Sequence, residues 1–248
     1  MGWLFGTIHS SPEPIDWETP AVSEALEKAG EIVVEVGNLS NEAQVSAIFA
    51  RLAQSAEQPP LSQRVGPGRR AALAALLRQA GYRDGDFTAM DTWAAALTLA
   101  NAAEDRDDAR NGIDRAVVAR AAGRRVVELE GAERQLGLFD ALPEREQRDL
   151  LDAVIEEAAQ ESNRDLSESW RSGNMVRIEK ETRRGLLADP ELREVLFTAR
   201  NRNWASRIAR TVQSGSKPFV AVGAAHMAGP DGLPAMLRAR GFTVRRIE

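Results

Sequence analysis

Apolar residues recur in this chain at two different spacings, and the placement of each restricts the fold more than any other feature. Short β-rich runs lie at residues 3–8, 31–36, 125–129, 218–222 and 242–247. Between them the spacing becomes i, i+3, i+4, i+7, as in Val45, Ile48, Phe49 and Leu52 or Leu150, Leu151, Val154 and Ile155, which marks amphipathic helices. Alanine, arginine, glutamate and leucine dominate 68–122 and 143–214, so the middle of the chain reads as helical. The expectation is an α/β fold: one small sheet drawn from both chain ends, with a large helical insertion over about 41–122 and 142–214. The whole of 1–248 is read as one domain.

The two ends resemble each other. At the front, run 3–8 passes into Gly6-Thr7-Ile8-His9, then a loop with Pro12 and Pro14, a helix from about Pro20 to Ala29, Gly30 and run 31–36. At the back, run 218–222 passes into Gly223-Ala224-Ala225-His226, then a loop with Gly229 and Pro230, a helix ending near Arg240, Gly241 and run 242–247. Both read as strand, GxxH, helix, strand. Thr19 with Pro20 suits an N-cap and first helical position, Asp231 can cap the second helix, and Gly30 and Gly241 suit a left-handed C′ position.

The GxxH pairs hold the only two histidines of the sequence. In parallel βαβ units ligands gather at the carboxyl ends of strands, where His9 and His226 are expected. Gly6 and Gly223 let the backbone turn or approach another group closely, and histidine near neutral pH supplies a metal ligand or a general base. Glu35 stands at the end of the apolar run Ile32-Val33-Val34, and a carboxylate there needs a partner. Two imidazoles and a carboxylate can hold Mn, Co, Fe or Zn and leave positions open for water, whose pKa the metal lowers. The same trio can act without metal, with one histidine as base and Glu35 as its orienter. Structural histidines with satisfied bonds, and a Glu35 paired with one of many arginines, are the plainer alternatives.

Composition narrows the function classes. The sequence has no cysteine, which removes cysteine proteases, zinc fingers, iron–sulfur centres and disulfides together. Its net charge is −5, and its many arginines are interleaved with Asp and Glu, so no basic stripe suited to nucleic acid is expected. The longest apolar stretches, 71–77 and 93–103, are too short for a membrane span. No charged n-region or cleavable apolar segment precedes run 3–8, so the chain reads as cytoplasmic, or as periplasmic or secreted with a leader removed. The tryptophans Trp93, Trp170 and Trp204 read as core or groove wall, and the charge cluster 104–110 as a solvated helix end or loop.

Several segments together resemble the TraB/GumN family, whose animal relatives include the Tiki proteases. They are Leu4-Phe5-Gly6-Thr7-Ile8-His9, Asp16-Trp17, Thr19-Pro20-Ala21-Val22 and Val33-Val34-Glu35-Val36, followed by Gly112-Ile113-Asp114 and Leu129-Glu130-Gly131-Ala132-Glu133-Arg134-Gln135-Leu136. Further on, Arg200-Asn201-Arg202-Asn203-Trp204-Ala205, Val220-Ala221-Val222-Gly223-Ala224-Ala225-His226 and Gly229-Pro230-Asp231-Gly232 continue the likeness. Each is weak alone, and their order and spacing are specific.

The resemblance implies a metal-dependent hydrolase fold related to erythromycin esterases and haem-binding ChaN proteins. It implies a divalent metal, Mn or Co favoured and Zn or Fe next, held by His9, Glu35 and His226. Asp114, Glu130, Arg200 and Asn201 would support it, and Arg200 would bind a substrate carboxylate or stabilise an oxyanion. The expected activity is that of a peptidase or amidase using a metal-bound water, on a peptide or small-molecule substrate. A peptide- or haem-binding protein without turnover and a metal-free esterase are the competing readings, and a homodimer is left open.

Overall fold

The computed structural model describes residues 1–37, 42–103, 110–121, 123–159 and 167–247. Among these, four strands form one wholly parallel sheet: β1 (Trp3–Thr7), β2 (Glu31–Val34), β3 (Val126–Glu128) and β4 (Pro218–Gly223), in the order β1-β4-β2-β3. The last strand therefore lies inside, pairing Trp3 with Phe219 through Thr7 with Gly223 on one side, and Glu31 with Pro218 through Val34 with Ala221 on the other. A strand covered on both faces carries apolar side chains without alternation. Ile32-Val33-Val34 and Phe219-Val220-Ala221-Val222 follow that rule and are all buried.

Helices close both faces. Helix α1 (Pro20–Lys28) opens with the Thr19 hydroxyl capping the Val22 N–H and Pro20 in the first turn. After α2 (Glu42–Leu52), α3 (Arg70–Ala80) and α4 (Thr92–Ala103), helix α5 (Ile113–Arg120) returns to the sheet. Ile113 and Val117 of α5 join Val22 and Leu26 of α1 over Ile32, Val34, Phe219 and Ala221. Beyond β3 come α6 (Ala132–Asp140), α7 (Glu144–Ala159), α8 (Ala199–Gln213) and α9 (Leu233–Ala239). On the opposite face Trp204, Ala205 and Ile208 of α8 and Leu233 and Leu237 of α9 pack on Val33, Val220 and Val222.

The insertion has a core of its own, in which Leu73, Leu76 and Leu77 of α3, Trp93 and Leu99 of α4, and Leu150, Leu151 and Ile155 of α7 meet. Its loops converge on a buried cation. Arg64 is 2% exposed and donates from Nε to the Pro59 carbonyl at 2.7 Å, from Nη1 to Met90 at 2.8 Å and from Nη2 to Phe87 at 2.7 Å.

Three local expectations are corrected. Residues 242–247 form no strand, so the second unit is strand, GxxH, helix without a closing strand. Its alternating residues Phe242 and Val244 pack against the α8–α9 cluster instead, and the Val244 carbonyl accepts from the Arg238 guanidinium. A period of two is thus spent on covering helices rather than on a sheet edge. Gly30 is not left-handed; the strand closing beneath it requires its missing side chain, since a Cβ would stand 2.3 Å from the Ser216 carbonyl oxygen. Gly241 does take the left-handed C′ conformation, at φ +87°. Gly232 rather than Asp231 begins α9, and the Asp231 carboxylate pairs with Arg193 at 3.2 Å. Most of the charge cluster, residues 104–109, and insertion bounds 41 and 122 lie outside the described residues.

Replacing Arg64 by Met leaves three loop carbonyls without their charged donor and is expected to cost about 3 to 5 kcal/mol. Denaturant unfolding monitored at the tryptophans measures this; an unmoved midpoint would show that the loops pack without Arg64.

Candidate functional site

The carboxyl ends of β1, β2 and β4 lie side by side, and each delivers one candidate side chain. After β1, the loop is pinned to the start of α5: the Ile113 N–H donates to the Ile8 carbonyl at 2.9 Å. Gly112 allows this approach, because a Cβ there would stand 2.4 Å from the His9 carbonyl oxygen. Asp114 in the first turn of α5 then meets the His9 ring, with Oδ2 and Nδ1 2.7 Å apart. A carboxylate accepts only, so Nδ1 carries the proton and the neutral ring's lone pair is on Nε2. His9 is 70% exposed at its side chain.

His226 is the buried counterpart, 7% exposed, in a short 3₁₀ turn directly after β4. Its ring stacks on Phe197 at 5.0 Å and meets Trp204 at 4.5 Å. Asn201 fixes its tautomer by a two-step argument. The Asn201 Nδ2 donates to the Asp231 carbonyl at 2.7 Å, so Oδ1 is the acceptor for His226 Nδ1, 2.6 Å away. The lone pair is again on Nε2. Burial lowers the His226 pKa to about 4, Glu35 opposing and Arg200 and His9 reinforcing the shift, so the ring is neutral at pH 7.

Glu35 follows β2 and is 9% exposed. Its Oε1 accepts the Gly223 N–H at 2.8 Å and its Oε2 accepts from Arg200 Nη2 at 2.9 Å. Burial alone would raise its pKa, but His226, Arg200, His9 and the Gly223 N–H outweigh it and hold the carboxyl below its ordinary value. Arg200 also bonds Glu130, 3.0 Å from Nη2, and lies 4.6 Å over the Trp204 ring, whose Nε1 donates to Glu130 at 3.0 Å. Arg200 thus stands behind Glu35, holding carboxylates, and is not in the cavity wall described next.

Gly223 is where the three groups converge. A Cβ at this position would be 3.5 Å from Glu35 Oε1, 3.7 Å from His226 Cδ2 and 3.9 Å from His9 Nε2. At Gly6, by contrast, a Cβ would press on the Ala224 Cα at 3.0 Å, so this glycine serves strand packing. A cavity of about 310 Å³ opens beside the convergence, and its polar lining is Thr7, His9, Glu35, Asp114, Arg115 and Gln135. Thr7, Arg115 and Gln135 were not singled out from the sequence. Thr7 was visible only as the second letter of the first GxxH, and nothing in spacing marks Arg115 or Gln135.

Two imidazoles tied at Nδ1 and an ionised carboxylate are a donor set suited to a divalent cation, and tethered Nδ1 atoms are the usual outer support of such ligands. The space left by the missing Cβ of Gly223 is the cradle they share. Hence His9, Glu35 and His226 fit such an ion in kind. As placed, no group of three or more His, Cys, Asp or Glu among the described residues stands close enough to hold a metal. Among the same residues no helix is long and apolar enough to cross a membrane.

Filling the cradle tests its role. All three distances at Gly223 are ordinary contacts and its φ is negative, so Gly223→Ala is expected to fold with a melting temperature within a few degrees of the parent while losing most ligand binding or turnover. Parent-like function in this variant would place the working centre elsewhere.

In comparison with protein families, the model described as the TraB/PrgY/gumN family matches residues 1–246. No curated protein and no solved structure matches the chain.

Proposed function

This chain belongs to the TraB/PrgY/gumN family, and on that premise we propose that it is a metal-dependent hydrolase of peptide or amide bonds, centred on His9, Glu35 and His226. The observation that carries the reading is the convergence of these three side chains, from three strand ends, on the space left by the missing Cβ of Gly223. Charge balance supports it. Glu35 and Glu130 share one guanidinium, Arg200, and His226 is neutral, so this buried cluster holds one net negative charge that a cation would offset.

A bound divalent ion, Mn or Co by preference and otherwise Zn or Fe, would polarise the substrate carbonyl and ease ionisation of a water. The chain's own residues prepare the place. Asp114 and Asn201 hold the two rings in the tautomer that turns a lone pair outward at Nε2. Arg200 keeps Glu35 ionised and fixed, so it acts as a positioning residue rather than as a contact for substrate. The aromatic walls of Phe197 and Trp204 keep water from the inner face of His226.

The His9–Asp114 pair favours a second reading, in which His9 serves as general base of a metal-free esterase with Asp114 as its orienter. Elemental analysis of the purified protein, followed by peptide-library turnover with and without chelator, separates these. The proposal expects about one divalent ion per chain, activity lost on chelation and restored by Mn or Co. Full activity after chelation would select the esterase, and retained metal without turnover would select a peptide- or haem-binding role.

Asp114→Ala leaves an exposed His9 ring without its orienting acceptor, and removal of such an outer partner lowers metal affinity by about 10- to 100-fold. Titration of the metal-free protein with Mn checks this, and unchanged affinity would detach His9 from the centre.

A further inference from the structure

Thr7 is 1% exposed, yet its Oγ1 has no hydrogen-bond partner among the described residues. A buried hydroxyl left unpaired costs about 1 to 3 kcal/mol, and valine would fill the same space without that cost. Such a group asks for a ligand.

Register says where this hydroxyl belongs. Thr7 pairs with Gly223 across the β1–β4 ladder, and paired residues of neighbouring strands project to the same face. Trp3 and Phe5, four and two positions earlier on that face of β1, pack into the α1–α5 cluster. Thr7 comes next, at the carboxyl end, where the neighbouring position on β4 is the bare Gly223 on which His9, Glu35 and His226 converge. The residue lines the same cavity as His9 and Glu35. A β-branched side chain at the end of a paired strand has little rotamer freedom, so its hydroxyl is held in place before any ligand arrives.

We infer that Thr7 is a catalytic residue of this site: its Oγ1–H donates a hydrogen bond to the carbonyl oxygen of the scissile bond and keeps it as that oxygen becomes anionic. The inference rests on the hydrolase reading. In the step it serves, the water oxygen bonds the carbonyl carbon and the C=O pair moves onto the oxygen facing Thr7. The C=O bond then re-forms as the C–N bond breaks, and the proton released by the water ends on the departing amine. Thr7 forms no covalent bond and keeps its own proton. A fixed donor aimed at developing charge is worth about 10²- to 10³-fold in kcat.

Thr7→Val removes the hydroxyl and keeps the shape, and Thr7→Ser keeps the hydroxyl. Both are measured in the metal-loaded full chain, on a peptide that the parent hydrolyses, for kcat, KM, metal content and melting temperature. The expected result for Thr7→Val is a kcat lowered by about 10²-fold with KM within threefold. Its metal content should be unchanged and its melting temperature no lower than the parent's, because no bond inside the protein is lost. Thr7→Ser should stay within about fivefold of the parent, the hydroxyl being what the step uses.

Parent-like kcat in Thr7→Val overturns the inference while the hydrolase reading stands. A rise in KM alone overturns it in favour of a ground-state contact. A lowered melting temperature overturns it by showing that the hydroxyl serves the fold. A parent that binds metal but hydrolyses no peptide removes the hydrolase reading and the role of Thr7 together.

Discussion

One buried carboxylate ties the parts of this molecule together. Glu35 accepts from the Gly223 backbone of β4 and from Arg200 of α8, while its own carbonyl accepts the N–H groups of Glu130 and Gly131 at 3.1 Å as the chain leaves β3. Three strands and a helix from the far end of the chain are thereby fixed to a single residue. An ionised group at this depth is tolerable only when it is paired and hydrogen-bonded, so the arrangement has little room for a shifted register or a displaced α8.

The division of labour between the faces of the sheet follows. Helix α8 approaches with a buried edge of Arg200, Asn201, Trp204, Ala205 and Ile208, whose lower part is ordinary packing and whose upper part is polar. Each polar group on that edge bonds something that belongs to the site: Arg200 holds Glu35, Asn201 holds His226, Trp204 holds Glu130. On the other face α5 does the same for His9 through Asp114. Among the described residues, the separate core of α3, α4 and α7 contributes none of these bonds.

How much of this was legible follows the range of each signal. The buried strands β2 and β4 showed themselves as unbroken apolar runs, and Thr19-Pro20 marked the start of α1, because burial on two faces and a helix cap are local in sequence. The run 242–247 misled because alternation records one covered side without saying what covers it; here helices do. Gly30 looked like a helix terminator, whereas its reason is a carbonyl 186 positions away in the chain, at Ser216. Glu35 stood out as a charge in an apolar run. The roles of Asp114 and Asn201 as holders of the histidine rings could not be read from spacing, since each bond joins residues 105 and 25 positions apart; only the family resemblance pointed to them. Thr7 was hidden for a different reason: an unsatisfied hydroxyl is a property of surroundings, and threonine in a strand is unremarkable.

The strand order has a consequence for how the chain comes into being. During synthesis the amino-terminal part is available first, and units with local contacts fold as they emerge. The core of α3, α4 and α7 draws on nearby segments and can form early. Strands β1 and β2 cannot join, because the one that lies between them, β4, is made after all of the helices packed in that core. Until then each has an open edge facing the other across a gap, the kind of surface that recruits stray strands. The gap closes when residues 218–223 arrive, and the same event delivers Gly223 to Glu35 and His226 to His9. A nascent chain therefore carries the pieces of its centre separately and assembles them at the end.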